Sequence, residues 1–263
     1  MKIQVLIENL SCREDLACEH GLSLYIETGK HRILFDAGQS GAFADNAEKL
    51  GVDLRSVDFA VLSHGHYDHG GGLSRFLEIN KTAKIYINKE ALFPHFNRNQ
   101  KNIGVNDALP ESSRLVFVGD VFRLEDGITL YSCNDRQRPY PTDQCGMSVL
   151  QNGQLQPDDF RHEQYLMIEE NGRRVCISGC SHKGILNITD WFQPDVLIGG
   201  FHFVDLALKG EDVKILQNAA EKLTQYSTIF YAGHCTGTSQ FLFLKQIMGE
   251  QLHKFSTGSI IEI

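Results

Sequence analysis

A dense run of metal-binding side chains lies at positions 63–72, which read Ser-His-Gly-His-Tyr-Asp-His-Gly-Gly-Gly. The imidazoles of His64, His66 and His69 and the carboxylate of Asp68 fall within six positions. Imidazole nitrogen is a good ligand for zinc or iron, and a carboxylate can hold a second ion or orient a water molecule. The glycines that follow allow the backbone to bend tightly. We therefore predict a metal centre at this run.

The surrounding pattern places the run at the end of a buried strand. Phe59–Leu62 predicts a short strand before it, and Leu73–Ile79 predicts a helix after it. The other predicted strands are 1–7, 22–27, 32–35, 84–87, 165–169, 174–178, 195–198, 229–232 and 258–263, with further strands predicted within 115–132, and the other predicted helices are 42–50, 184–192, 211–226 and 240–248. Strands and helices alternate in both halves of the chain, which predicts layered sheets with helices outside.

The motif H-x-H-x-D-H, here His64, His66, Asp68 and His69, resembles the signature of the metallo-β-lactamase superfamily. Asp36-Ala37-Gly38 matches an upstream D-x-G of that superfamily. Residues 19–23, 179–182, 199–202 and 234–237 are similar to the branch related to the dihydropterin ribofuranosylaminobenzene phosphate synthases. The resemblance covers essentially the whole chain. It implies an α/β fold, a four-layer αββα sandwich of two similar halves in one domain (1–263), with a one- or two-metal site between the sheets.

The superfamily pattern also implies later ligands. His162 precedes a predicted hairpin and fits the third histidine of the pattern, while His234 follows a strand and fits the last one. Where the pattern has an acidic residue, this chain has Cys180, and a thiolate is a good zinc ligand. Some members use Cys there, with a substrate-binding lysine at the offset where Lys183 stands. Either Cys180 binds an ion, or the thiol leaves room for His182 to do so.

The activity that the resemblance implies is that of a metal-dependent hydrolase. A metal-bound hydroxide would attack a small anionic ester, of phosphoester or lactone type, with Asp68 and His182 as catalytic residues. Lys183, His202 and His20 are expected to bind the substrate. We expect one or two divalent ions, zinc or else iron or manganese. The full predicted ligand set is His64, His66, Asp68, His69, His162, Cys180 and His234.

Two other functions remain open at this stage. The related branch suggests a transferase or synthase that acts on a phosphoribosyl-type donor. A di-iron site for oxygen or nitric oxide could use the same ligands, although no flavodoxin-like domain follows in this sequence. The middle of the chain, Phe93–Pro110 and Asn134–Asp143, predicts loops that set specificity, and no motif there names a substrate. The oligomeric state stays unknown.

The composition of the chain limits the classes of partner that we expect. Lys plus Arg number 25 and Asp plus Glu number 33, for a net charge of −8, which argues against nucleic acid or an anionic membrane. No apolar stretch approaches the roughly 18 residues of a membrane span, and the first residues lack a signal-peptide pattern. The 7 cysteines show no paired framework. We therefore expect free thiols, a cytoplasmic protein and a small anionic substrate.

Overall fold

The structure, a computed structural model, describes residues 1–105, 109, 113–142 and 145–263. Its strands are β1 (Lys2–Ile7), β2 (Ser23–Glu27), β3 (Arg32–Phe35), β4 (Phe59–Val61), β5 (Lys84–Asn88), β6 (His95–Phe96), β7 (Leu115–Val118), β8 (Val121–Glu125), β9 (Ile128–Tyr131), β10 (Ser148–Gln151), β11 (Gln154–Pro157), β12 (Tyr165–Glu170), β13 (Arg173–Ile177), β14 (Val196–Gly199), β15 (Ile229–Ala232), β16 (Leu252–Lys254) and β17 (Ile260–Glu262). Its helices are α1 (Ala42–Lys49), α2 (Tyr67–Gly70), α3 (Leu73–Ile79), α4 (Ile185–Phe192), α5 (Gly210–Leu223) and α6 (Thr238–Met248).

Two mixed sheets of seven strands each carry the fold. The first sheet has the order β17-β1-β2-β3-β4-β5-β7, and the second has the order β16-β15-β14-β13-β12-β9-β8. In the first sheet β3, β4, β5 and β7 are parallel neighbours, and in the second β13 to β16 are parallel neighbours. Each sheet thus joins an antiparallel part to a parallel part, which is the similarity between halves that the sequence predicts.

Three buried apolar clusters separate four layers. One packs α1 and α3, through Phe43 and Phe76, against the outer face of the first sheet. The second lies between the sheets and includes Val61 and Ile177. The third cluster, which includes Leu244 of α6, packs α4, α5 and α6 on the outer face of the second sheet. Side chains alternate between the two faces of each strand, so both faces are buried by different layers. The predicted αββα sandwich is confirmed.

The structure differs from the sequence prediction mainly in the middle of the chain. A small sheet, β11-β10-β6, lies there, and β6 falls within the predicted loop at 93–110. The two-residue β6 is too short to show the alternation by which strands are recognised in a sequence. The three-residue β16 was missed for the same reason. Pro110 and Asp143, at the ends of the two predicted loops, lie outside the described residues.

Parallel strands bring the chemical side chains together. Asp36 follows β3 and His64 follows β4 in the first sheet, while Cys180 follows β13 and His234 follows β15 in the second. The carboxyl ends of parallel strands lie at one edge of a sheet, so these residues meet where the two edges face each other. No helix of the described residues is long and apolar enough to cross a membrane.

Candidate metal centre

Four buried side chains, which we call the sulfur cluster, meet between the two sheet edges: Asp68, His69, Cys180 and His234. The His69 Nε2 atom lies 3.1 Å from His234 Nε2 and 3.2 Å from Cys180 Sγ. Asp68 Oδ2 lies 3.3 Å from His234 Nε2 and 3.6 Å from His69 Nε2. Ligands that share one ion, each bound at about 2.0–2.3 Å, lie at comparable separations. The sulfur cluster therefore fits a divalent ion.

Three buried histidines form a neighbouring group, the imidazole cluster: His64, His66 and His182. Their ligand atoms lie within 4.8 Å of one another, and the Nε2 atoms of His64 and His182 are 3.3 Å apart. Among the described residues, three buried ring nitrogens have no hydrogen-bond partner: His66 Nε2, His182 Nδ1 and, at the edge of the cluster, His162 Nε2. Buried polar atoms without a partner are uncommon, and a bound ion would satisfy such nitrogens. This cluster also fits a metal.

The carboxylate of Asp36 orients two of the histidines. It lies 2.7 Å from His69 Nδ1 and accepts the hydroxyl hydrogen bond of Ser63, which in turn lies 2.8 Å from His64 Nδ1. Because Asp36 only accepts and Ser63 gives its proton to Asp36, both Nδ1 atoms carry hydrogen. Their lone pairs are then on Nε2, which is the atom that faces the clusters.

The end of β1 supports the other side of the centre. The side-chain oxygen of Asn9 accepts from Gly21 N–H and lies 2.9 Å from His234 Nδ1, so His234 also keeps its lone pair on Nε2. The Asn9 amide nitrogen lies 3.4 Å from His20 Nδ1. The proton of the neutral His20 ring is therefore on Nε2, which lies 3.3 Å from Asp68 Oδ2. Glu8 accepts the backbone N–H of His234.

Electrostatics keep Asp68 ionised. Burial alone would raise the pKa of this carboxyl, but His69, His20 and His234 hold that pKa well below its usual range. Burial, followed by Cys235 and Asp68, raises the pKa of the Cys180 thiol, so the sulfur is protonated without an ion. Binding of a metal would have to displace that proton, because the thiolate is the ligand form.

The three rings of the imidazole cluster are neutral. Burial, followed by repulsion between neighbouring imidazoles, holds the pKa values of His64, His66 and His182 well below the ordinary value. His69 differs, because Asp68 and Asp36 outweigh its burial and raise its pKa. Neutral imidazole is the form that binds metal, so the imidazole cluster presents its ligand form at neutral pH.

Glu163 fixes the loop that carries His182. Its carboxylate accepts the backbone N–H groups of His182 and Lys183 at 2.7 and 3.0 Å. The ammonium of Lys183 donates to Ser132 O, to Asn134 Oδ1 and to the backbone oxygen of Glu163. The lysine is 0% exposed, and burial lowers its pKa to about 8. The predicted substrate-binding lysine is therefore buried in the fold, and all three of its N–H groups donate to protein oxygen atoms.

The other two predicted substrate-binding residues lie beside the two clusters. The His202 ring is 4.3 Å from the ring of His182, and its Nδ1 atom is 3.7 Å from Cys145 Sγ. The His20 side chain is 52% exposed. A ligand could therefore reach the His20 imidazole, whereas His202 is half-buried beside His182.

His162 lies at the edge of the imidazole cluster, where its ligand atom is within 4.8 Å of those of His66, His95 and Asp158. Its Nδ1 accepts the Gly65 N–H at 2.9 Å, and its ring packs 4.0 Å from that of His95. His182, and not His162, stands beside His64 Nε2. Sequence reasoning missed His95 and its partner Asp158, because β6 carries no recognisable motif.

Three comparisons place the chain among known proteins. The family model described as the metallo-beta-lactamase superfamily matches residues 17–105. The 7,8-dihydropterin-6-methyl-4-(beta-D-ribofuranosyl)-aminobenzene-5'-phosphate synthase of Methanocaldococcus jannaschii is 31% identical over 271 residues, which cover 93% of this chain and 90% of that protein. The uncharacterized protein MJ0448 of the same organism is 26% identical over 93% of this chain and 94% of its own.

A solved structure agrees over the full length. The crystal structure of Tm1679, described as a metal-dependent hydrolase of the β-lactamase superfamily, matches with a TM-score of 0.84 and 26% identity. The match covers 100% of this chain and 99% of that one. The chain therefore belongs to the metallo-β-lactamase superfamily, in the branch that includes the Methanocaldococcus jannaschii synthase.

Proposed function

We propose that the protein is a metal-dependent hydrolase of a small anionic ester, of phosphoester or lactone type. The observation that carries this proposal is the adjacency of the two clusters. A ligand atom of His64 lies within 4.8 Å of those of His66 and His182, and also within 4.8 Å of those of His69 and Cys180. Two ions held side by side would face one substrate.

The chain offers a separate ligand set for each ion. His64, His66 and His182 would hold one, and we assign His182 where the sequence pattern placed His162. The sulfur cluster would hold the other. Bound divalent zinc, iron or manganese ions would act as Lewis acids and lower the pKa of a bound water molecule.

Asp68 and His20 are the groups that we assign to proton transfer. Asp68 is ionised at neutral pH and can accept a proton or orient a water through its carboxylate. His20 carries its hydrogen on Nε2, beside Asp68 Oδ2 at 3.3 Å, and its exposed ring can donate to a leaving oxygen. His202 lies beside His182, with the two rings 4.3 Å apart, and would donate to an anionic group of the substrate.

The charge distribution favours a small anionic ligand. The chain has a net charge of −8, so the divalent ions would be the strongest positive charges in the cleft. The same acidity disfavours nucleic acid and anionic membranes as partners. Among the described residues, which include all 7 cysteines, no disulfide bond is formed, and this supports the proposal of a reducing, cytoplasmic location.

A second candidate function is favoured by the 31% identical synthase. In this alternative the centre binds a phosphoribosyl-type donor and transfers the sugar to an aminobenzoate-type acceptor. The residues named above would then stabilise the departing anion, and no water would attack.

One experiment separates the two functions. Metal-loaded protein is incubated with generic phosphodiesters, with lactones, and with phosphoribosyl diphosphate in the presence and absence of 4-aminobenzoate. Hydrolysis of an ester alone, lost after chelation and restored by metal, supports the hydrolase. Turnover that requires both donor and acceptor would overturn the hydrolase in favour of the transferase.

A further inference from the structure

A second buried group of polar side chains lies beside the imidazole cluster and has no part in the function proposed above. His95, Asp158 and His162 are each 1% exposed. His95 Nδ1 lies 2.8 Å from Asp158 Oδ2, and His162 Nε2 lies 3.3 Å from the same oxygen. We call these three residues the His95–Asp158–His162 network.

With His66, the network could itself be taken for a metal site, since the four ligand atoms lie within 4.8 Å of one another. The hydrogen bond from Gly65 decides against this. His162 Nδ1 accepts the Gly65 N–H at 2.9 Å, so its lone pair is in use and the proton of the neutral ring is on Nε2. Neither nitrogen of His162 then has a lone pair for an ion.

His162 is thus oriented opposite to three histidines of the two clusters. His64, His69 and His234 each face a hydrogen-bond acceptor with Nδ1 and leave Nε2 for a metal. His162 instead accepts with Nδ1, and its Nε2 lies 3.3 Å from Asp158 Oδ2 without forming a hydrogen bond. Because the His162 ring is oriented oppositely, we expect it to have a role other than metal binding.

We infer that His162 is a positioning residue, which holds the backbone between the metal ligands His64 and His66. Gly65 is the residue between them, and its N–H is the group that His162 accepts. The other side of Gly65 is closed, because a Cβ there would come 2.4 Å from Ala91 O. The inference rests on the proposed metal-dependent function, since it assigns His64 and His66 to an ion.

Asp158 and His95 keep His162 in this orientation. Asp158 Oδ2 faces the Nε2 side of His162, and its other oxygen accepts the N–H of Phe160 at 2.8 Å. His95 contacts Asp158 through Nδ1, while its Nε2 lies 3.2 Å from Glu90 O in the turn that also contains Ala91. The network therefore connects both sides of the Gly65 backbone.

The test compares three variants by zinc titration of the full chain, with bound zinc measured by elemental analysis. In His162→Asn, the amide oxygen can stand near the position of Nδ1 and accept from Gly65, but nothing replaces Nε2. We expect this variant to bind as many ions as the wild type with similar affinity. His162→Leu lacks the acceptor and should keep the ion number at saturation while its affinity falls by about 10–100-fold. The matched His182→Ala variant should lose one ion.

A second measurement does not depend on these variants folding. In cadmium-113-loaded wild-type protein, NMR couplings between the metal and ring nuclei should appear at His182 and be missing at His162. Loss of one ion in His162→Asn, or a cadmium coupling at His162, would overturn the inference. If the protein binds metal but hydrolyses no ester, the proposed function fails while the role of His162 stands, because neither readout uses activity.

Discussion

The two clusters share one cleft, yet the fold prepares them differently. In the sulfur cluster both histidines have Nδ1 held by an outer partner, Asp36 for His69 and Asn9 for His234. In the imidazole cluster two ring nitrogens, one of His66 and one of His182, are buried without a partner among the described residues. The sulfur cluster also contains an ionised carboxylate and a thiol. The comparison indicates that the sulfur cluster is oriented before an ion arrives, whereas the imidazole cluster depends more on the ion.

The largest expected effect is that of removing the charge of the sulfur cluster. Asp68→Asn keeps the shape of the side chain but removes the carboxylate that can accept a proton, so activity should fall by about 10²–10⁴-fold. Initial rates with the ester identified in the substrate screen would show this. Asp45→Asn, on the exposed face of α1, is the matched control and should retain full activity. Equal rates for the two variants would remove Asp68 from the chemistry.

The next effect tests the sulfur itself. Cys180→Ser should lower the number of bound ions at limiting zinc and remove the sulfur-to-metal absorption band of the cobalt-loaded protein, because thiolate is the better zinc ligand. Cys18→Ser, at an exposed cysteine, should leave both unchanged. A cobalt spectrum that is the same in Cys180→Ser and wild type would show that the cluster binds without its thiol.

A smaller change in zinc affinity should follow from removing the hydrogen-bond partner of His234. Asn9→Leu removes the acceptor of His234 Nδ1, so zinc affinity of the sulfur cluster should fall by about 10–100-fold while the ion number at saturation is kept. Competition with a chromophoric chelator measures this affinity. Asn218→Leu, on the exposed face of α5, serves as control. Unchanged affinity in Asn9→Leu would mean that the sulfur cluster is not oriented in advance.

The smallest effect is on the pH dependence of stability in the metal-free protein. The pKa of His182 is lowered in the native state, so the unfolded chain takes up this proton first and stability falls as the pH drops below about 6.5. The pKa of His69 is raised, so its protonation adds stability as the pH falls through that raised value, and this gain is complete at about pH 6.5.

The two substitutions should therefore act in opposite directions in urea denaturation between pH 7.5 and 5.5. His182→Gln should make the loss of stability on acidification shallower, and His69→Gln should make it steeper. Each slope should change by at most about 1.4 kcal/mol per pH unit, the value for one proton. Changes of the same sign in both variants would contradict the electrostatic difference between the clusters.

Site residues that are close together in the sequence could be predicted from it, whereas contacts between residues far apart in the sequence could not. The run from His64 to His69 lies on one strand end, so residue type and spacing are enough to propose a metal centre. Asp158 and His95 are 63 positions apart and meet only because β6 joins the small sheet. No short-range pattern records such a contact.

The sequence pattern also could not show what each buried nitrogen faces. His162 fits a ligand position along the chain, but the direction of one hydrogen bond from Gly65 gives it another role. Lys183 stands at the offset of a substrate-binding lysine, and its acceptors come from Ser132 and Asn134 in a distant segment. Layered sheets with helices outside, in contrast, follow from strand and helix periodicity, which many residues share, and the resemblance to the superfamily implied the four-layer order.

The contact between Glu8 and His234 has a consequence for biosynthesis. The two residues are 226 positions apart, and Glu8 holds the backbone of the last ligand. A ribosome that adds about 5–20 residues per second needs roughly 10–50 s to cover that distance. During this time the backbone contact between Glu8 and His234 cannot form, and any ion that arrives meets a ligand set that lacks His234. Completion of the metal centre is therefore a late event in folding, timed by translation.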